Sequence, residues 1–326
     1  MNFDELFGNL GQYTIEGLSK GAIFALIALG YTLVYGVLRL INFAHSEVFM
    51  VGTYAVLGTW TLLGATNSPG VGMVLLLVVA GLIGASIASG GTALVIERLA
   101  YRPLRKKNAP PLIFLITAIG ASLVLMEIFG FVLAKIFGQP FGRLIIGMPT
   151  IVRSKEVVNI DIPVLGKFGI TNLHIIVIVS AILMMIALDV FINRTRLGRG
   201  VRAVAQNPDT AALMGVNKER VIMLIFVVGG IMAGGAALLF SLQYSQTRFN
   251  IGFVLGLKAF TAAVLGGIGN LRGALLGGFV LGIVEVYFAT LYSSNWEDVA
   301  AFIVLVVVLM FRPTGLLGES LGRARA

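Results

Sequence analysis

The chain has 326 residues, of which 58% are hydrophobic and 12% charged; its net charge is +9 and its mean hydropathy +0.96. Soluble domains carry about 25% charged residues, so 24 basic and 15 acidic side chains are too few for the surface of a water-soluble fold this long. These numbers argue against a soluble enzyme, a secreted disulfide scaffold and a disordered chain, and for a polytopic membrane protein built from apolar spans of about 20 residues.

Apolar runs fall at 18–38, 47–65, 71–96, 112–135, 172–193, 221–243, 252–268, 273–292 and 298–311. The expected fold is all-α, a polytopic membrane helical bundle, with residues 1–326 forming a single transmembrane domain. The first run follows an acidic segment (Asp4, Glu5, Glu16), unlike the positive start of a cleaved signal peptide. The stretches 42–66 and 252–268 are short and carry polar residues. Half-helices that enter and leave on one side are the alternative there, and the expected count is eight or nine spans.

Charge sets the orientation. Arg98, Arg102, Arg105, Lys106 and Lys107 fall in one loop, Arg194, Arg196, Arg199, Arg202, Lys218 and Arg220 in another, and Arg312, Arg323 and Arg325 after the last run. Placing these regions in the cytoplasm, with Arg39 and Arg272, puts 16 of the 24 basic residues inside. The segment 138–171 is then external, and alternation near Leu144–Ile151 and Val157–Val164 suggests a small hairpin. Glycines spaced by four (Gly17/Gly21, Gly230/Gly234, Gly252/Gly256, Gly273/Gly277, Gly278/Gly282) share helix faces and let backbones approach closely in lipid.

Covalent chemistry finds little support. There is no cysteine, and His45 and His174 are far apart, so no metal site is expected. No phosphate-cradling G-x-x-x-x-G-K-[ST], nucleophile elbow or H-E-x-x-H pair occurs, and Gly267–Gly273 reads as a tight turn between two spans. No catalytic residue is assigned. Basic clusters interleaved with aromatics are missing too, so no nucleic-acid partner is expected.

Three regions carry the candidate functional residues. Asn42, His45, Ser46 and Glu47 cluster between two apolar runs. With Ser46 or Asn42 as cap, a helix starting near Glu47 offers free N–H groups to a substrate carboxylate; a plain polar turn is the alternative. Lys258, Glu127 and Glu285 lie inside apolar runs, where a charge costs roughly 2.5–3.5 kcal/mol. Lys258 and Glu285 are the expected pair, either as a structural tie or in gating. Phe260 and Thr261 are pathway candidates by position. In the loop 194–220, Asn207 caps a helix with Pro208 first and Asp209 in its first turn, Ala211, Ala212, Leu213 and Met214 form an apolar patch, and Gly215 ends it. Such a helix suits docking into a groove; a simple joining loop is the other reading.

Asp209-Thr-Ala-x-x-x-Gly215 resembles a degenerate form of the E-A-A-x-x-x-G coupling motif of bacterial ABC importer permeases. The stretch from Gly21 to Glu47, which ends Ile41-Asn-Phe-Ala-His-Ser-Glu47, resembles the branched-chain amino-acid permeases of ABC uptake systems (the LivH type). So do Glu97-Arg-x-Ala-Tyr-Arg-Pro103, Lys258-Ala-Phe-Thr-Ala-Ala-Val-Leu-Gly-Gly-Ile-Gly269 and Arg312-Pro-Thr-Gly-Leu-Leu-Gly318. Ser46 stands where that family usually has glycine, and Asp209 and Thr210 depart from the coupling motif. The resemblance implies an ABC importer permease fold in the bacterial cytoplasmic (inner) membrane, importing Leu, Ile or Val. It implies a second homologous permease, two cytoplasmic ATPase subunits that use ATP and Mg, and an extracytoplasmic solute-binding protein. In it, residues 194–220 form the ATPase-coupling segment, with Arg199, Asn207, Pro208, Asp209, Ala211, Ala212 and Gly215 as its candidates. This chain would bind no cofactor itself. An ion-coupled secondary transporter using Glu127 and Glu285, an integral membrane enzyme, and an ABC permease for urea or short amides are the rival readings.

Overall fold

In a bilayer, apolar runs have no water to satisfy their backbone, so they close every N–H and C=O within a helix. The computed structural model, which describes residues 3–137, 145–162 and 166–318, follows that rule. In chain order it contains α1 (Phe3–Gly8), α2 (Leu10–Leu38), α3 (His45–Leu62), α4 (Val71–Ile96), α5 (Arg102–Lys106), α6 (Pro111–Phe137), β1 (Ile145–Gly147), β2 (Glu156–Ile162) and β3 (Gly166–Thr171). Then follow α7 (Asn172–Arg194), α8 (Arg196–Gln206), α9 (Pro208–Leu213), α10 (Lys218–Tyr244), β4 (Gln246–Arg248), α11 (Ile251–Gly266), α12 (Leu271–Leu291) and α13 (Glu297–Phe311).

Seven helical segments among the described residues are long and apolar enough to cross a membrane: Leu10–Leu38, Val71–Lys106, Pro111–Val132, Asn172–Arg194, Lys218–Tyr244, Leu271–Leu291 and Ser294–Phe311. The two short stretches of the sequence become α3, with 18 residues, and α11, with 16, and neither is among the seven. At 1.5 Å per residue these helices are roughly 27 and 24 Å long.

Two local expectations are corrected. The basic stretch after Ile96 is not a loop: a π turn, Glu97–Tyr101, joins α4 to α5, and Val71–Lys106 run on as one helix of 36 residues. The two alternating stretches do not pair with each other: β1 pairs antiparallel with β4 (Ile145 opposite Arg248), and β2 with β3 (Asn159 opposite Gly169). A partner distant in sequence outcompetes the nearer one because β2 already has β3 within hairpin reach. Leu144 and Val164 lie outside the described residues.

The chain divides into two compact units, neither continuous in sequence. The first comprises the described parts of Met1–Thr32, Arg153–Ile186 and Lys258–Ala326. Here Gly17 and Gly21 of α2 lie against α12: a Cβ on Gly17 would come within 2.6 Å of the Ile283 Cα. The turn between α11 and α12 needs positive φ at Gly267 (105°) and Gly269 (101°), and the Asn270 side chain then caps α12 by accepting from the Arg272 and Gly273 N–H groups. The 312–318 stretch folds back onto this turn. Leu316 and Leu317 N–H donate to the Leu265 and Gly266 carbonyls at 2.8 and 3.0 Å, and Asn270 Nδ2 donates to the Leu317 carbonyl at 2.8 Å.

The second unit comprises the described parts of Leu33–Val152 and Ala187–Leu257. Its core is α3, α4 and α10, packed through small side chains. A Cβ on Gly234 of α10 would sit 2.8 Å from the Ala85 carbonyl of α4, and one on Gly230 2.7 Å from the Gly90 Cα. Close backbone approach replaces the hydrophobic drive that lipid removes. Trp60 of α3 is fully buried and donates its indole N–H to the Leu77 carbonyl at 3.0 Å.

Candidate functional site

The loop 194–220 folds into two short helices rather than one. Thr195 caps α8, its Oγ1 accepting from the Gly198 N–H at 3.0 Å, and Arg202 donates back to the Ile192 carbonyl. Pro208 cannot continue α8, since it lacks the N–H and holds the preceding residue extended; Asn207 accordingly sits at φ −154°, ψ 105°. Its Oδ1 accepts from the Asp209 and Thr210 N–H groups, both at 3.0 Å, and starts α9. Gly215 ends that segment at φ +84°, with the Val216 N–H returning to the Ala211 carbonyl. The expected apolar patch is split. Ala211 is buried, whereas Ala212, Leu213 (88% exposed) and Met214 (80% exposed) face outward, as does Arg199.

The second candidate region lies at the start of α3, and Asn42, His45, Ser46 and Glu47 are all buried there. Neither Ser46 nor Asn42 caps the helix. Ala44 is the N-cap residue, with no side-chain cap, and Ser46 Oγ instead donates to the Phe43 carbonyl at 2.7 Å. The N–H groups of His45, Ser46 and Glu47 are spent on the carbonyls of Asn42, Phe43 and Ala44. A substrate carboxylate would therefore find these donors occupied. What remains is the Asn42 side chain: its Oδ1 accepts from the Tyr101 hydroxyl at 3.1 Å, and its Nδ2 has no hydrogen-bond partner among the described residues. Glu47 Oε1 accepts from Ser122 Oγ at 3.1 Å, and Gly252 leaves room for the other oxygen, since a Cβ there would lie 2.6 Å from Glu47 Oε2.

The third region is an ion cluster in the first unit. Lys258 Nζ lies 2.6 Å from Glu285 Oε1, the pair expected from the sequence. The cluster is larger than that expectation: Lys258 also reaches Asp298 at 2.6 Å and Glu297 at 3.4 Å, while Lys20 bridges Glu285 (3.2 Å) and Glu297. Glu285 is wholly buried. The acidic pair at the start of α13 also meets that helix's positive end. The sequence does not single out Lys20, Glu297 and Asp298, because each lies at or near the edge of an apolar run, where charges ordinarily reach water. Thr261 is buried, Phe260 meets Tyr31 edge-on at 6.3 Å, and Glu127 is exposed on α6. Asn42–Glu47 and Lys258–Glu285 fall in different compact units.

Known proteins match along nearly the whole chain. The family described as branched-chain amino acid transport system / permease component matches residues 13–309. The high-affinity branched-chain amino acid transport system permease protein BraD of Pseudomonas aeruginosa is 41% identical over 308 residues, covering 94% of this chain and 95% of that protein. The corresponding protein LivH of Escherichia coli is 39% identical over 310 residues, with the same coverage. The probable branched-chain amino acid transport permease protein LivH of Methanocaldococcus jannaschii is 27% identical over 325 residues, covering 96% and 95%. Among solved structures, PsaBC from Streptococcus pneumoniae in complex with Fab aligns over 95% of both chains at 10% identity and a TM-score of 0.46, a likeness too distant to build on.

Proposed function

The chain belongs to the family of branched-chain amino acid transport system permease components, and from that premise we propose that it is the permease subunit of a bacterial ABC importer. It carries leucine, isoleucine or valine inward across the cytoplasmic membrane. The relationship to proteins of that name over almost their full length carries this reading. Seven helices fit to span a bilayer accord with it.

The complete importer contains this chain, a second homologous permease, two cytoplasmic ATPase subunits that use ATP and Mg, and an extracytoplasmic solute-binding protein. The segment 194–220 docks on an ATPase. In support, α9 is a capped helix that turns Leu213 and Met214 outward on a charged, otherwise polar stretch. Asn42, whose amide nitrogen has no hydrogen-bond partner among the described residues, and the Glu47 carboxyl lie on the substrate path.

The deciding experiment co-expresses the chain with the products of its neighbouring genes and measures leucine uptake into proteoliposomes with and without internal ATP. ATP-dependent accumulation is expected. Accumulation by this chain alone, driven by an ion gradient, would overturn the reading, and accumulation of urea in place of leucine would overturn its substrate. Asn42→Ala is expected to reduce uptake at normal membrane levels.

A further inference from the structure

A series of polar contacts within the second unit, joined along the backbone at Lys218–Glu219 and at Glu97–Tyr101, runs from α9 to Asn42. At one end, Asp209 of α9 pairs with Lys218 at 3.4 Å, and Lys218 opens α10 beside Glu219. Asn217 caps that helix by accepting from the Arg220 N–H at 3.1 Å, so the first turn of α10 is fixed to the end of the 194–220 segment. Glu219 then meets two arginines of α5: Arg105 Nη2 at 3.0 Å and Arg102 Nε at 3.4 Å. The same Arg105 Nη2 holds Glu97 at 2.5 Å. Glu97 is completely buried, and Arg105 is its ion-pair partner among the described residues.

Glu97 opens the π turn and Tyr101 closes it. A π turn carries an extra residue within the helix, and such turns are rare and frequent at functional sites. The Tyr101 ring packs against Phe114 and Phe226, with centroids 5.8 and 5.2 Å away, and its hydroxyl donates to Asn42 Oδ1 at 3.1 Å. A pull on Glu219 therefore reaches one end of the turn through Arg105, while the other end holds Asn42.

We propose that Glu219, Arg105, Glu97 and Tyr101 are positioning residues that transmit movement of the coupling segment to Asn42, with the π turn as the element that changes state. This rests on the permease reading above and adds a route to it. Two features favour a mechanical link over a static brace. A single nitrogen serves both carboxylates, so a shift of Arg105 toward one bears on its contact with the other. The chain of contacts also ends on a buried amide with a donor still unspent.

The test uses the complete importer in proteoliposomes, with leucine as probe, and reads leucine accumulated per ATP hydrolysed. Tyr101→Phe keeps the ring contacts and removes only the hydroxyl; Glu219→Gln alters a partly exposed side chain on another helix. Each is expected to lower the ratio by about fivefold or more, in the range of known coupling factors, with ATP hydrolysis within about twofold of wild type. The double variant should be no worse than the more damaging single one, since both cut one route. Wild-type ratios in both single variants, parallel loss of hydrolysis and uptake, or independent effects in the double variant would each overturn the linkage. A wild-type complex that hydrolyses ATP and accumulates no leucine would instead overturn the function on which it rests.

Discussion

Replacing Lys258 with methionine tests the ion cluster at its most connected member. Its ammonium touches three carboxylates, on Glu285, Glu297 and Asp298. The cluster has two cations and three anions; Lys258→Met leaves Lys20 facing all three acids. Losing one partner of a buried pair costs about 3–5 kcal/mol. Lys20 still holds Glu285 at 3.2 Å, and Asp298 is half exposed and screened, so about 2–4 kcal/mol is expected here. For a chain of this length that corresponds to a melting temperature lower by roughly 3–6 °C. Glu285→Gln is milder, about 1–2 kcal/mol, because two ammoniums then face two acids and the amide oxygen still accepts. The double variant Lys258→Met/Glu285→Gln removes the buried acid together with its partner and should melt above Lys258→Met alone. Thermal unfolding of purified, detergent-solubilised protein reads all three. Equal losses for the two single variants, or a double variant at the sum of both, would refute the assignment of Lys258 as the centre of the cluster.

Packing, capping and indole hydrogen bonding give three further predictions. Gly234→Val drives a side chain into the Ala85 backbone and should cost at least about 2 kcal/mol, seen as loss of folded protein in membranes; Gly91→Ala, with open space at the same helix–helix core's outer side, should instead gain about 0.5–1 kcal/mol in thermal unfolding. Asn207→Ala removes the acceptor for two N–H groups, worth about 1 kcal/mol locally, and should reduce ATP-driven uptake without moving the melting temperature, while Asn207→Asp retains uptake. Trp60→Phe removes the second hydrogen bond to the Leu77 carbonyl, which still accepts within α4, and leaves a gap where the indole packs; it should lower stability by about 1–3 kcal/mol in the same unfolding assay.

What could be read from sequence follows from the range of each interaction. Apolar runs and the Asn207–Gly215 signals are local, and the helices and their caps appear where those residues place them. The Gly230/Gly234 spacing likewise marks one face, which meets α4. Pairing is different. Nothing near Ile145 specifies that its partner is Arg248, about a hundred residues away, and the hairpin expectation failed there. Lys258 and Glu285 stand out against apolar surroundings and pair on that ground; Lys20, Glu297 and Asp298 border theirs and carry no such mark. The π turn was hidden for another reason: five basic residues after Ile96 suggested water and hence a loop, yet Arg102 and Arg105 are turned toward Glu97 and Glu219 and keep the segment helical. At the start of α3 the sequence marks the residues but not their bonding, because backbone carbonyls of 42–44 take the donors first.

The distribution of acids also bears on what drives transport. A carrier powered by an ion gradient needs an acid within the membrane that can release one partner and accept another as it cycles. Glu285 is held by two ammoniums, so freeing it leaves Lys20 and Lys258 to be satisfied elsewhere. Glu127 stands on the exposed side of α6, away from the buried interior of its unit. Both acids that the ion-coupled reading required are thus poorly placed for it. The 194–220 segment offers the opposite arrangement. Leu213 and the following Met214 stand out at the end of a helix that Asn207 caps and Gly215 terminates. Covering two such side chains would gain about 1.5–3 kcal/mol each, which favours the proposed docking of this segment on a partner.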